Sequence, residues 1–68
     1  MNAQVNGRPV ELYRGATVAD VVGRYGADES GRGVAVAVNG EVVARSAWPS
    51  MEIVEGDRIE VLGAIGGG

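Results

Sequence analysis

The sequence predicts a two-layer α+β domain, in which a mixed sheet of about four to five strands carries one main helix packed on one face. Three observations lead there. Short runs that alternate polar and apolar residues recur along the 68 residues, bounded by Asn-Gly or other glycine-bearing turns, and alternation with a period of two is the pattern of half-buried strands. One stretch, near residues 17–25, changes to helical spacing. The chain has the length of a single small domain, which must bury a strand layer and a helix against each other.

Asn2-Ala3-Gln4-Val5-Asn6 alternates and ends at Asn6-Gly7, after which Pro9-Val10-Glu11-Leu12-Tyr13 alternates again. Two such runs around Asn-Gly read as a β-hairpin, because both central turn positions tolerate positive φ. Pro9 cannot donate to a ladder and belongs near a sheet edge. Thr17 is the expected helix N-cap, with Asp20 three residues on in an approximate capping box. Val18, Val21, Val22 and Tyr25 then share one helix face. Gly26 suits a left-handed C-terminal cap, and Gly23 inside the helix is expected to be there for close packing against the sheet.

Ala27 to Gly33 reads as a polar loop. Val34-Ala35-Val36-Ala37-Val38 is the clearest strand, with its valines on one face and its alanines on the other. A second pair, Asn39-Gly40, turns it back into Glu41-Val42-Val43-Ala44. Ser46 is placed to cap a brief helical turn before Trp48-Pro49. Glu55-Gly56-Asp57 marks another turn, and Arg58-Ile59-Glu60-Val61-Leu62 is the last strand, with Ile59 and Val61 inward. Gly63-Ala64-Ile65 leads outward to Gly66-Gly67-Gly68. The order strand, strand, helix, strand, strand, strand is that of a β-grasp, ubiquitin-like domain. Residues 1–65 are assigned to it, and residues 66–68 to a flexible C-terminal glycine tail.

Composition narrows the chemistry. The chain has no Cys, His or Lys, so it offers no thiolate, imidazole or Schiff-base amine, and stability must come from packing an apolar fraction of 46% without disulfides. A metal site would have to use carboxylates alone. Net charge is -3, with six arginines scattered singly, a pattern that argues against nucleic-acid binding. No apolar run is long enough for a bilayer span and no signal-peptide pattern opens the sequence, so a cytoplasmic protein without independent catalytic activity is expected.

What remains as a reactive group is the end of the chain. The Gly68 α-carboxyl is ionised at neutral pH, as such groups are. A carboxylate can attack the α-phosphorus of ATP when a partner positions both, and the resulting acyl-adenylate is open to a sulfur nucleophile. Glycines lack Cβ and can thread a narrow channel. A Gly-Gly-Gly ending is also compatible with a plain frayed terminus; its position directly after the last strand is what favours a chemical role.

Gly15-Ala16-Thr17-Val18-Ala19-Asp20-Val21-Val22, then Val36-Ala37-Val38-Asn39-Gly40-Glu41-Val42-Val43, Arg45 with Trp48, Glu55-Gly56-Asp57-Arg58-Ile59-Glu60-Val61 and the final Gly67-Gly68 together resemble the ThiS family, the sulfur carrier proteins of thiamine biosynthesis. The resemblance implies that an adenylyltransferase of the ubiquitin-activating type uses ATP to activate Gly68. It implies that sulfur from a cysteine desulfurase converts the terminus to a thiocarboxylate, and that thiazole synthase accepts this sulfur. The chain itself would bind no cofactor and would act as a protein co-substrate rather than an enzyme. Gly66 departs from relatives that often carry a larger residue there.

Other residues have plainer readings. Trp48 is expected to cover a core edge, Arg45 fits either a partner ion pair or a solvated surface, and Asp28 with Glu29 reads as a solvated loop. If the valine face of residues 34–38 meets the helix, Ala35 and Ala37 face away from it together with Leu62. With Ala64 and Ile65 they form a possible partner surface beside the tail; an uncovered sheet face is the alternative. Two other functions remain open at this level. One is a different metabolic sulfur carrier, such as one resembling the small subunit of molybdopterin synthase. The other is a role outside sulfur transfer, either as a plain β-grasp interaction module with an inert tail or, separately, as a protein modifier that ligates Gly68 to lysines of targets.

Overall fold

The structure, a computed structural model, describes residues 1–26 and 33–63. In chain order the elements are β1 (Asn2–Val5), β2 (Arg8–Glu11), α1 (Val18–Tyr25), β3 (Val34–Val38), β4 (Glu41–Val42), a 3₁₀ turn (Arg45–Ala47) and β5 (Arg58–Gly63). The sheet order is β2-β1-β5-β3-β4. The last strand therefore lies in the middle, parallel to β1 and antiparallel to β3. This is the mixed, helix-backed β-grasp sheet that the element order predicts.

Both hairpins are closed by Asn-Gly in the expected turn, with φ of 53° and 80° at Asn6 and Gly7 and 51° and 86° at Asn39 and Gly40. Positive φ at both central positions matches the right-handed twist of the strands they join. Pro9 lies on β2, an edge strand, where its missing N–H costs no ladder bond.

Thr17 caps α1 in a complete capping box: the Asp20 N–H donates to the Thr17 hydroxyl at 3.3 Å, and the Thr17 N–H donates to the Asp20 carboxylate at 2.9 Å. That main-chain bond is the first cause holding the Asp20 carboxyl below the usual carboxylate range, followed by hydrogen bonds from the Tyr13 and Thr17 hydroxyls. Val18, Val21 and Val22 are buried beneath the helix, each side chain contributing about 1.5–3 kcal/mol by leaving water; Tyr25 is half-buried. They meet Ala3, Val5, Val36, Val38, Ile59 and Val61 from three strands, and Leu12, Ala16, Val43, Trp48 and Ile53 close the rim of the same core. Trp48 is 6% exposed and its indole N–H donates to the Val43 carbonyl at 3.1 Å. Its polar atom is satisfied while the rings cover the core edge, as expected.

Four local expectations need correction. Gly26 is not left-handed: it is extended, at φ -74° and ψ 156°. Glycine suits it for a different reason, since a Cβ there would stand 2.5 Å from the Val22 carbonyl oxygen. Gly23 does not pack closely against the sheet. It is exposed, and an added Cβ would meet nothing within 4 Å. Ser46 does not cap the short turn, whose N-cap is Ala44 with no side-chain bond. The strand expected over residues 41–44 ends at Val42, although the Val43 N–H still donates to the Val36 carbonyl at 2.9 Å and its side chain enters the core.

Candidate functional site

The site is built around the outgoing end of β5. Side chains alternate along a strand, so Ile59 and Val61 point to the helix side, 1% and 7% exposed, whereas Leu62 is 60% exposed on the outer face. Leu62 stands opposite Ala35 in the β3–β5 register, and Ala37 stands opposite Val42 in the β3–β4 register. Cross-strand partners share a face. Leu62, Ala35, Ala37 and Val42 thus share the face turned away from α1, with Ala35 exposed and Ala37 half-buried. Glu60, the β5 partner of Ala37, is exposed on the same face and borders this apolar patch with a carboxylate.

Val42, the most exposed large apolar side chain among the described residues at 82%, is not among the surface residues expected from sequence. The signal for it was present: a two-residue Asn39-Gly40 loop pairs Val38 with Glu41 and therefore Ala37 with Val42. The other members of the expected site, Ala64, Ile65, Gly66, Gly67 and Gly68, lie outside the described residues. So do Asp28 and Glu29.

Polar groups secure the strand that leads to this end. Asp57, just before β5, is buried, and both of its carboxylate oxygens accept hydrogen bonds: Oδ1 from Asn39 Nδ2 and Oδ2 from the Val54 N–H, each at 2.9 Å. Asn39 Oδ1 accepts from the Arg58 N–H at 3.0 Å. On the other flank, Asn6 Oδ1 accepts from the Val61 N–H at 2.8 Å and Asn6 Nδ2 donates to the Val61 carbonyl at 3.2 Å. Sequence reasoning read both asparagines as turn residues and nothing more; they also act on the central strand.

Arg45, expected either in a partner ion pair or solvated, places its guanidinium 5.7 Å from the Trp48 ring centre, within cation–π range. Among the described residues no group of three or more His, Cys, Asp or Glu side chains is placed to hold a metal ion. No described helix is long and apolar enough to cross a membrane.

A helix-backed mixed sheet whose central strand runs out beside an apolar patch towards a glycine ending defines a ubiquitin-like domain of the β-grasp class. The ThiS family model matches residues 3–68. Over its full length, the chain is 31% identical to a thiamine biosynthesis protein (ThiS) from Geobacter metallireducens known from a crystal structure, covering all of both chains with a TM-score of 0.80. A solution NMR structure of a thiamine biosynthesis protein from the same organism gives 33% identity and a TM-score of 0.79, over all of this chain and 88% of that one. This chain belongs to the ThiS family. It is also 34% identical, over all of its 68 residues, to part of a thiazole synthase from Paramagnetospirillum magneticum, of which it spans 20% of the length.

Proposed function

We propose that this chain is a sulfur carrier of thiamine biosynthesis, that its working group is the carboxylate of Gly68, and that thiazole synthase is the acceptor of its sulfur. In the proposed cycle a carboxylate oxygen of Gly68 attacks the α-phosphorus of ATP in the site of a ubiquitin-activating-type adenylyltransferase, and pyrophosphate leaves. The outer sulfur of a persulfide, supplied through a cysteine desulfurase, attacks the acyl carbon and displaces AMP. A thiol of the partner then attacks the inner sulfur of the resulting acyl disulfide, so that the S–S bond breaks, the thiocarboxylate leaves and the two thiols end as a disulfide. The terminus then carries one sulfur in place of one oxygen, a thiocarboxylate nucleophilic enough to hand that sulfur on. The carrier supplies no acid, base or cofactor; ATP is bound by its partner.

Membership of the ThiS family across residues 3–68 is the observation that carries this reading. Two further facts support it. A segment matching this chain from end to end occurs within a protein named thiazole synthase, which connects the carrier with thiazole formation. The apolar patch of Ala35, Ala37, Val42 and Leu62 lies beside the outgoing end of β5, where a partner that takes in the glycine ending would rest. Ala64 and Ile65 would extend that contact, and Gly66 and Gly67 would give the carboxylate slim access to the partner's site.

The test is conversion by the activating enzyme of the native host with ATP and a sulfur source. The intact chain should be adenylated and should gain sulfur at its terminus, and a chain lacking Gly68 should fold normally and do neither. Full conversion of the shortened chain would overturn the assignment.

A further inference from the structure

Asn6 sits where the central strand loses one of its two neighbours. β1 runs alongside β5 through the pairs Gln4↔Arg58 and Val5↔Ile59, and the Asn6 N–H still donates to the Ile59 carbonyl at 2.9 Å. In a parallel ladder the carbonyl of that same residue would accept the next inward N–H of β5, that of Val61. Asn6 has a left-handed backbone, φ 53°, and its main-chain carbonyl turns away with the hairpin. The side chain takes its place: Oδ1 accepts the Val61 N–H at 2.8 Å, and Nδ2 adds a bond to the Val61 carbonyl at 3.2 Å.

Asn39 makes the matching substitution on the opposite flank. Its N–H donates to the Arg58 carbonyl at 2.8 Å, and its Oδ1, rather than its own carbonyl, accepts the Arg58 N–H at 3.0 Å. The two asparagines are equivalent in chemistry and differ in position. Asn39 holds the entry of β5, where strands lie on both sides. Asn6 holds the last residue before Leu62 and Gly63, whose register partners are Ala35 and Val34 of β3 alone.

We infer that Asn6 is a positioning residue for the Gly68 carboxylate: its side chain secures the outgoing end of β5 on the side that β1 has left, and so fixes the point from which the glycine ending starts. The inference rests on the carrier reading above. Five residues beyond Gly63 reach at most about 17 Å when fully extended, so a loosened root reduces the share of conformations that deliver the carboxylate to the partner's site in reactive alignment. Ala35, Ala37 and Val42 belong to β3 and β4, whereas the hydrogen bonds of Asn6 described above run to Ile59 and Val61 of β5. Loosening the root should therefore lower turnover more than docking.

The experiment compares Asn6→Gly, Asn6→Asp and Asn39→Gly with the wild-type chain. All three keep a sequence that favours the same two-residue turn. The assay is ATP–pyrophosphate exchange with the activating enzyme of the native host, at saturating ATP and at a temperature where each variant is shown to be folded. Asn6→Gly should lower kcat about tenfold with KM for the carrier unchanged, and amide exchange at Val61 should speed up. Asn6→Asp, which retains the acceptor and loses the donor, should fall between it and wild type. Asn39→Gly should lose stability yet keep the wild-type kcat.

A wild-type kcat in Asn6→Gly would overturn the inference, as would equal falls in kcat for Asn6→Gly and Asn39→Gly. If Asn39→Gly does not fold, the graded Asn6 series decides alone: without the order wild type, Asp, Gly the inference fails. A wild-type chain that supports no exchange overturns the carrier reading itself, and the inference with it.

Discussion

Ile59 and Leu62 are large aliphatic residues three positions apart on one strand, and they serve opposite ends. Ile59 is 1% exposed, the largest fully buried side chain of the described residues, whereas Leu62 is 60% exposed. The strand's period of two puts them on opposite faces, and their surroundings complete the contrast. At Ile59 the strand has β1 on one side and β3 on the other, with the buried Asp57 and its two hydrogen bonds just upstream. At Leu62 the strand neighbour among the described residues is β3 alone, and the side chain joins Ala35, Ala37 and Val42 on the face turned away from α1. One strand thus anchors the body at its start and presents an apolar surface at its end. Substitutions at the two ends should separate stability from coupling.

The largest effect on stability is expected from Ile59→Ala, about 2–5 kcal/mol by loss of burial and the cavity left behind, read by chemical denaturation. Asp57→Ala comes next. It leaves the Val54 N–H and the Asn39 amide without their partner, at a cost of about 2 kcal/mol, and a loss well under 1 kcal/mol would show that water replaces the carboxylate readily.

Gly23→Ala should go the other way, raising stability by about 1 kcal/mol with unchanged adenylation, because the new methyl enters open space on an exposed helix face. Leu62→Arg should move stability least, within about 0.5 kcal/mol, while raising KM for the carrier in the adenylation assay. Unchanged KM there would show that the patch is merely an uncovered sheet face, and a large stability loss would break the contrast with Ile59.

Much of this arrangement was legible in local sequence. The two Asn-Gly turns, the capping box of Thr17 and Asp20, the inward valines of α1 and β3 and the outward Leu62 all follow from rules that span a few residues. What was not legible depends on which strands become neighbours. Asn6 meets Val61 across 55 positions of sequence and Asn39 meets Asp57 across 18, and neither partner can be named until β5 is known to lie between β1 and β3. Asp57 looked like a turn residue for the same reason. Gly23 and Gly26 were misread because a glycine's sequence context does not say whether it is needed for backbone sign, for close approach or for nothing at all; here Gly26 answers to the Val22 carbonyl and Gly23 to no neighbour. The chemical role proposed for Gly68 rests on the glycine ending after the last strand together with family membership.

The most direct measurement of that role is the mass of the C-terminal peptide from protein isolated, untagged, from its native host. Cleavage after Arg58 releases residues 59–68, which contain neither Met1 nor Met51, so methionine oxidation cannot imitate the exchange of oxygen for sulfur. A fraction of this peptide heavier by the difference between the two atoms, with the added mass on Gly68, is the predicted result. A peptide that carries only the ordinary carboxylate, from thiamine-starved cells in which the sulfur acceptor has been removed so that charged carrier accumulates, would contradict it.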